Sequence, residues 1–294
     1  MKVCYLILAH KNAKQLNMLI SRLLIEKSSV VYLHISIPQY YDIEPLIEKN
    51  NRVHIIKNPI DVEWGGDNIL RAQLLLLNES INENADIYQF LTGQDFPIKS
   101  NLTDFYEEHK NEVFMDWELS PVEEKVRLMY KWPYVLSKLY NKKTNIFRII
   151  RKIRYTLLGL GFPGIKKRMP NKYRKITLYK SMFWVTLDNE TAKYVVDYLK
   201  YNNDYFSVYQ NALNAEEGFW ATTIMNNNNL SSKILSRRTL VYTSEFVNNH
   251  PKTFGIDDYN VLMKSDCLFA RKFDIDYDKD ILNRFIIKEI KNDR

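Results

Sequence analysis

Two adjacent carboxylates, Glu216 and Glu217, lie just before a glycine and an aromatic pair in the segment AEEGFWATTI. A carboxylate within hydrogen-bond reach of a hydroxyl group can take its proton as a general base. Aromatic side chains beside it suit a carbohydrate site, because the faces of sugar rings stack on them. Acidic residues in the first turn of a helix also complement the helix dipole, so the pattern leaves a purely structural role open.

Cationic side chains near the C-terminus have the chemistry to neutralise a diphosphate. Arg271 and Lys272 lie in the segment LFARKFDID, and Lys252 precedes them. A transferase that uses a nucleotide sugar must stabilise the departing diphosphate, and Lys and Arg do this well without a metal. Two cations beside a Phe-rich turn equally suit a salt-bridge cluster on the surface, and the spacing does not separate these interpretations.

Enzymes that use nucleotide sugars often hold a divalent cation with an Asp-x-Asp motif after a strand. Here the second predicted strand ends in His-Ile-Ser at 34–36 and offers no carboxylate. The spacing occurs instead in FDIDYD, at Asp274, Asp276 and Asp278. Hard-cation sites usually take ligands from several segments, so we interpret this run as a solvated strand or turn. The sequence therefore predicts no metal site and no other cofactor.

The elements that must position these residues follow an alternating pattern. The predicted strands cover residues 3–9, 30–35, 52–56, 87–91 and 180–187, and the predicted helices cover 13–26, 68–81, 145–158, 189–201 and 215–226. Strands separated by helices predict an α/β fold with a mostly parallel sheet. In such sheets ligands bind outside the carboxyl ends of the strands, so the loops there are the expected site.

The net charge of +7 is concentrated in one segment. Between residues 125 and 186 there are 17 Lys or Arg and no Asp or Glu, so the rest of the chain is net acidic. We expect one domain over 1–294 with a basic, aromatic insertion at about 125–180. Such a block implies an anionic neighbour, which is a lipid surface, a nucleic acid or a phosphorylated substrate.

Within this segment, residues 145–158 are amphipathic at helical spacing. Five apolar residues form one face, opposite several cations: Ile146, Ile149, Ile150, Ile153 and Leu157. A basic amphipathic helix is typical of a peripheral contact with an anionic membrane. An ordinary packed helix with a solvated basic face explains the pattern equally well. Nucleic acid is not expected as a partner, because no nucleic-acid-binding motif is found.

Two cysteines, Cys4 and Cys267, are too few for a disulfide framework, and their apolar surroundings predict core thiols. No apolar stretch is long enough for a membrane-spanning helix or a signal peptide. We therefore expect a cytoplasmic protein. The abundance of Asn, Lys, Tyr and Ile suggests an AT-rich, bacterial genome.

Seven segments in order carry a resemblance to a known family. They are YLILAHKN, VYLHIS, VEWGGDNILRAQLLLL, YQFLTGQDFPIKS, YKSMFWVTL, AEEGFWATTI and LFARKFDID. Over nearly its whole length the chain resembles the core-2/I-branching N-acetylglucosaminyltransferase and peptide O-xylosyltransferase family. The resemblance implies a GT-A-like nucleotide-diphosphosugar transferase fold that works without a metal-binding Asp-x-Asp.

The resemblance also implies roles for individual residues. Glu217 matches the catalytic base, and Lys272, with either Lys252 or Arg271, matches the cations that bind the diphosphate. The remaining matches are residues of the donor pocket and of the acceptor side. On the donor side they are Ala9, His10, Trp64, Gln73, Gln94 and Asp95, and on the acceptor side Glu118 and Glu216.

The activity implied is inverting transfer of a sugar from a UDP-sugar donor to a hydroxyl of a glycan or a lipid-linked glycan. UDP-N-acetylglucosamine is the first expected donor, with UDP-glucose, UDP-galactose or UDP-xylose as alternatives. From another class, a non-catalytic protein that binds an anionic glycan or lipid through residues 125–186 remains open. A bacterial role in surface polysaccharide synthesis at the inner face of the membrane is expected.

Overall fold

Seven consecutive apolar residues form β1 (Val3–Ala9), and all seven are buried. A strand that is covered on both faces is typical of a parallel sheet with helices on either side. The computed structural model describes residues 1–37, 39–63, 65–100, 102–132, 146–167, 169–233, 238–247 and 250–292.

The chain alternates strands and helices as far as β4, and its later elements are more irregular. The other described strands are β2 (Val30–Ile35), β3 (Val53–Ile55), β4 (Ile87–Thr92), β5 (Asp95–Pro97), β6 (Phe114–Leu119), β7 (Tyr179–Asp188), β8 (Val241–Thr243), β9 (Phe246–Val247), β10 (His250–Pro251) and β11 (Phe269–Arg271). The described α-helices are α1 (Ala13–Leu23), α2 (Tyr40–Ile43), α3 (Asn68–Ser80), α4 (Leu102–Glu108), α5 (Val122–Met129), α6 (Ile146–Gly159), α7 (Asn189–Tyr201), α8 (Ala215–Met225), α9 (Asn228–Ser231), α10 (Tyr259–Lys264) and α11 (Asp280–Asn292).

The main sheet has the strand order β3-β2-β1-β4-β7-β6. The first four of these strands run parallel, whereas β7 pairs antiparallel with both β4 and β6. The prediction of an α/β fold with a mostly parallel sheet is confirmed. Because β7 runs the opposite way, its N-terminal half lies at the edge where β1 and β4 end.

Helices cover both faces of this sheet. On one face α1 packs Leu16 and Leu19 into a core that includes Ile7 of β1. On the other face α3 and α8 contribute Leu76 and Trp220 to a second core. Successive residues of β1 point alternately into the two cores, as the two-residue period of a strand requires.

A second, three-stranded sheet has the order β5-β11-β8. Its central strand β11 pairs antiparallel with β5, so that Arg271 lies opposite Asp95, and parallel with β8. We expected the residues around Arg271 to form a Phe-rich turn, which is wrong for Phe269–Arg271. A strand of three residues has no periodicity to detect, and its partners are distant in the sequence.

The basic segment lies between two neighbouring strands of the main sheet. β6 ends at Leu119 and β7 begins at Tyr179, and these two residues pair with each other. In the described part of the segment, α5 and α6 pack together through a small core of their own that includes Trp132 and Leu158. The apolar stripe of α6 predicted from the sequence is exposed, so the alternative of an ordinary helix packed by that stripe is wrong.

The two cysteines differ in burial. Cys4 is buried in β1, as expected of a core thiol. Cys267 is only half-buried, and its thiol lies 3.8 Å from the carbonyl oxygen of Thr239. Among the described helices, none has both the length and the apolar character needed to cross a bilayer.

Candidate active site at the carboxyl edge of the sheet

Asp95 fixes the position of Arg271 at the end of β4. One carboxylate oxygen accepts from the Thr92 backbone N–H at 2.7 Å and from the Trp184 indole at 2.8 Å. The other accepts from the Thr92 hydroxyl at 2.8 Å and from the Arg271 guanidinium at 3.1 Å. Asp95 is fully buried and all four bonds lie within the protein. We infer that it orients the cation instead of contacting a ligand.

Lys272 is a half-buried cation beside Arg271. Its own burial, followed by Lys11 and Arg271 nearby, lowers its pKa below the usual value, and Asp274 acts in the opposite direction. Asp274 itself pairs with Lys11 at 2.5 Å. Within the described ranges no carboxylate lies within ion-pair distance of the Lys272 ammonium. The positive charge here is therefore poorly compensated, which favours an anionic ligand.

His10 and Ala9, at the end of β1, lie next to this cluster. Desolvation of the His10 imidazole by its surroundings, followed by the charges of Lys11, Arg271 and Lys272, lowers its pKa, so the neutral ring is favoured. The buried Ala9 accepts a hydrogen bond through its carbonyl oxygen from the backbone N–H of Ser36, just after β2. The structure thus brings both predicted residues to the edge that Arg271 and Lys272 occupy.

Gln15 of α1 holds the cationic segment against the loop after β4, and sequence reasoning missed it. Its side-chain amide donates to the carbonyl oxygens of Gly93 at 2.9 Å and Phe273 at 3.2 Å, and accepts from the backbone of Ile275 at 2.9 Å. Gln94 contributes its carbonyl oxygen to the Phe273 N–H at 2.9 Å. A polar residue on the buried face of an apolar helix is the one signal that marks Gln15 in the sequence.

Glu217 lies in the first turn of α8 and is partly exposed. One carboxylate oxygen accepts from Arg127 at 2.5 Å, and the other accepts from the Asn214 amide at 3.0 Å. These two donors set the direction of the carboxylate, which accepts hydrogen bonds through both oxygens. Arg127 comes from α5, and no sequence pattern linked it to Glu217.

Glu216 is buried beside Glu217. Burial, and then the negative charge of Glu217, raises the pKa of the Glu216 carboxyl to about 8, with a smaller opposing effect of Arg127. One of its oxygens has no hydrogen-bond partner among the described residues. The neutral, protonated form therefore predominates at neutral pH, so Glu216 suits a proton acceptor less well than Glu217 does.

Replacing Glu216 with Gln should stabilise the protein more at mildly alkaline pH than at acidic pH. The folded carboxyl holds its proton up to about pH 8, whereas an unfolded Glu loses it near its ordinary value of 4.5. The free energy of unfolding of the wild type therefore falls as pH rises through this window. Gln does not titrate, so we expect its melting temperature to exceed that of the wild type by about 3 °C or more at the upper end. Melting curves at several pH values test this, and a difference that does not change with pH contradicts it.

β7 connects the carboxylate and the cations. The Ser181 hydroxyl donates to the carbonyl oxygen of Glu217 at 3.3 Å, and the Trp184 indole donates to Asp95, the partner of Arg271. Ser181 and Trp184 are three residues apart on β7. Trp184 lies in the core on the α1 face of the sheet, whereas α8, which carries Glu217, packs in the core on the other face. Glu217 and Arg271 therefore approach the same edge of the sheet from its two faces.

Other predicted site residues lie away from this edge. Gln73 is fully buried and bonds to the Phe183 carbonyl oxygen at 3.1 Å and the Trp220 indole at 2.9 Å, so its expected contact with the nucleotide is not supported. The Lys252 ammonium is exposed and pairs with Asp258 at 2.6 Å. Of the two candidates for the second diphosphate cation, Arg271 is therefore the one beside Lys272.

Glu118 lies on the outer strand β6, where its exposed carboxylate is 3.8 Å from the Lys180 ammonium. This position is compatible with the acceptor side that the resemblance implied, because Lys180 is the neighbour of Ser181 on β7. Trp64, predicted for the nucleotide pocket, lies outside the described residues.

The acidic run of FDIDYD has separate partners for each carboxylate. Asp274 binds Lys11, Asp276 accepts from the side-chain amide of Asn12 at 3.2 Å, and Asp278 accepts from the backbone of Ile256 at 2.7 Å. The sequence left a solvated strand or a turn open for this segment, and the structure shows a turn. No group of three His, Cys, Asp or Glu side chains in the described part of the chain is arranged to hold a metal ion.

Comparison with known proteins identifies the family of the chain. The sequence model of the Core-2/I-Branching enzyme family matches residues 3–263, a range that includes Glu216 and Glu217 and ends before β11. A search of curated proteins finds no match. The family match covers most of the chain and confirms the resemblance. The chain therefore belongs to the Core-2/I-Branching enzyme family, and it is a glycosyltransferase with a GT-A-like fold.

Proposed function

We propose that this glycosyltransferase moves N-acetylglucosamine from UDP-N-acetylglucosamine to a hydroxyl of a glycan or lipid-linked glycan, with inversion and without a metal ion. The observation that carries the proposal is the pair of adjacent cations at the edge that Glu217 also reaches: Arg271, which Asp95 holds in place, and Lys272, which has no carboxylate within ion-pair distance in the described part of the chain. A carboxylate for the acceptor and cations for the leaving group are the two parts that such a displacement needs.

In the proposed reaction Glu217 takes the proton of the acceptor hydroxyl. The oxygen attacks the anomeric carbon from the face opposite the nucleotide, and the bond between that carbon and the diphosphate breaks. Arg127 and Asn214 hold the carboxylate by one bond to each oxygen, which reduces the reorganisation needed for proton transfer. Inversion follows from a single displacement.

Arg271 and Lys272 would stabilise the charge that develops on the diphosphate. Arg271 is held in place by Asp95 and by the Thr92 hydroxyl, so its charge is oriented before the donor binds. Lys272 has its pKa lowered by burial and by its cationic neighbours. A bound diphosphate would favour the charged form of Lys272, and this coupling makes the interaction stronger as charge develops.

The choice of donor rests on the family resemblance, which supports N-acetylglucosamine as the first donor to test and a β-1,6 linkage with it. UDP-glucose, UDP-galactose and UDP-xylose are the alternative donors on the same fold. We place the reaction in the cytoplasm of a bacterium, in the synthesis of a surface polysaccharide. A non-catalytic binder of anionic glycan or lipid is distinguished by donor hydrolysis without acceptor, because a binder shows none.

A thermal-shift panel tests the nucleotide site directly. UDP and UDP-sugars should raise the melting temperature more than GDP, CMP or dTDP, and the shift should persist in EDTA. At a ligand concentration about 100 times its Kd, linkage adds about 2.7 kcal/mol, which is readily measured. A shift that disappears with EDTA overturns metal independence, and no response to any nucleotide favours the binding protein. The sugar with the largest shift identifies the donor.

A further inference from the structure

The apolar stripe of α6 faces solvent along its whole length. Five side chains form this stripe, and all are exposed, by 40% to 65%: Ile146, Ile149, Ile150, Ile153 and Leu157. Isolated apolar side chains on a surface are common, but a contiguous row on one helix face marks an interaction site.

The loop after α6 extends the same surface. Leu160, Phe162 and Ile165 are exposed by 71%, 54% and 66%. Together with the stripe they make up eight of the fifteen large apolar side chains that are exposed in the described part of the chain. We call the stripe and these three residues the apolar patch. Its concentration in twenty residues sets it apart from scattered exposure elsewhere.

The orientation of α6 is fixed by the opposite side of the helix. Leu158 is buried in a core with Trp132, Val126 and Leu213. The Arg154 guanidinium donates to the Lys131 carbonyl oxygen at 2.8 Å and lies 5.7 Å from the centre of the Trp132 ring. The patch is therefore held outward by packing and is not an unattached helix end.

The charge around the patch selects its partner. The segment 125–186 carries 17 Lys or Arg and no Asp or Glu, and Lys152 and Lys166 are exposed beside the patch. A second copy of the chain would bring like charges together across the contact. A lipid bilayer with anionic headgroups matches both the apolar patch and the cations around it, because its negative charges lie at the surface and its apolar chains lie beneath them. We propose that the apolar patch and its surrounding cations dock on an anionic phospholipid membrane.

The inward side of the helix that carries the patch contacts the residue that binds the candidate base. The Arg127 guanidinium, which binds Glu217, lies 5.7 Å from the centre of the Tyr155 ring of α6. Membrane docking would therefore bring the part of the site that holds Glu217 within about one helix diameter of the lipid, where a lipid-linked glycan is presented. This consequence rests on the proposed function, whereas membrane binding itself is measured without any substrate.

Vesicle flotation with the full chain tests the proposal. The wild type should float with vesicles of phosphatidylcholine that contain about 30% phosphatidylglycerol, and bind vesicles of phosphatidylcholine alone far more weakly. The double variant Ile149→Asp/Ile153→Asp should bind the anionic vesicles at least about tenfold more weakly, because it removes apolar insertion and adds repulsion. Lys152→Glu should weaken binding about fivefold, and more salt should weaken the wild type.

Leu46→Asp and Val261→Asp provide matched controls. Both residues are exposed to a similar extent, 63% and 57%, but lie outside the basic segment, so these variants should float like the wild type. Circular dichroism shows whether each variant is folded, and an unfolded double variant is replaced by the single Ile150→Ser change. Wild type that does not bind anionic vesicles overturns the proposal. So does a dimer that the double variant converts to a monomer, because the patch then binds a second copy.

Discussion

A Glu217→Gln variant is expected to transfer sugar about 10²–10⁴ times more slowly than the wild type, with nearly unchanged donor affinity. Gln has the same shape as Glu and keeps an oxygen for one of the two donors, Arg127 or Asn214, but it cannot accept a proton. The donor contacts Arg271 and Lys272 in our mechanism, so KM for the nucleotide sugar should change little while kcat falls. Release of the nucleoside diphosphate, followed with the donor identified by thermal shift, measures both constants.

Glu216→Gln is the matched control for this variant. It makes the same Glu-to-Gln change at the adjacent residue. Because Glu216 is buried and predominantly neutral at pH 7, we expect the kcat of this variant to stay within about threefold of the wild type. Wild-type kcat in Glu217→Gln would falsify the assignment of the base. Equal losses in the two variants would point to a disturbed α8 instead, and melting temperatures would show this.

The first half of the fold was predictable because its strands are long, apolar and buried on both faces. The structure reproduces the predicted bounds of β1 and β2, and α7 (Asn189–Tyr201) also begins and ends where the pattern placed it. Elements with few residues gave no such signal. The strand Phe269–Arg271 depends on hydrogen bonds to β5 and β8, which are far away in the sequence.

Helical periodicity showed that α6 has an apolar face but not what covers it. The pattern suited a packed helix and a membrane-facing helix equally. In the structure Leu158 and Tyr155 pack inward while Ile149 and Ile153 are exposed, so the apolar stripe is not the packed side of the helix. The helix packs through one side only, so the apolar residues on its other side remain exposed.

Motif order predicted candidate site residues but not the side chains that hold them in place. Glu217, Arg271 and Lys272 follow from motif order, and the structure brings all three to one edge of the sheet. Arg127 lies 90 positions before Glu217, and Gln15 lies 258 positions before Phe273. Such contacts depend on how the chain folds back on itself, so no local pattern indicates them.

Lys272→Ala should lower kcat/KM for the nucleotide sugar by about 10²–10³, which is the usual effect of removing one preorganised group that stabilises a transition state. Lys272 is half-buried, its charge is poorly compensated, and it lies beside Arg271, which Asp95 holds in place. The stabilisation by UDP in the thermal-shift assay should fall in parallel, because the same cation contacts the diphosphate in both measurements.

Lys252→Ala is the control that separates a specific cation from overall positive charge. The Lys252 ammonium is 53% exposed and already pairs with Asp258, so its removal should change kcat/KM by no more than about threefold. Similar losses for Lys252→Ala and Lys272→Ala would contradict the assignment of Arg271 and Lys272 as the diphosphate pair.

The affinity of the wild type for UDP should also depend on pH. Burial and neighbouring cations lower the pKa of Lys272, so as pH rises Lys272 loses its charge earlier than an ordinary lysine, and UDP binding should weaken at that lower pH. That pH dependence should be lost in Lys272→Ala and retained in Lys252→Ala.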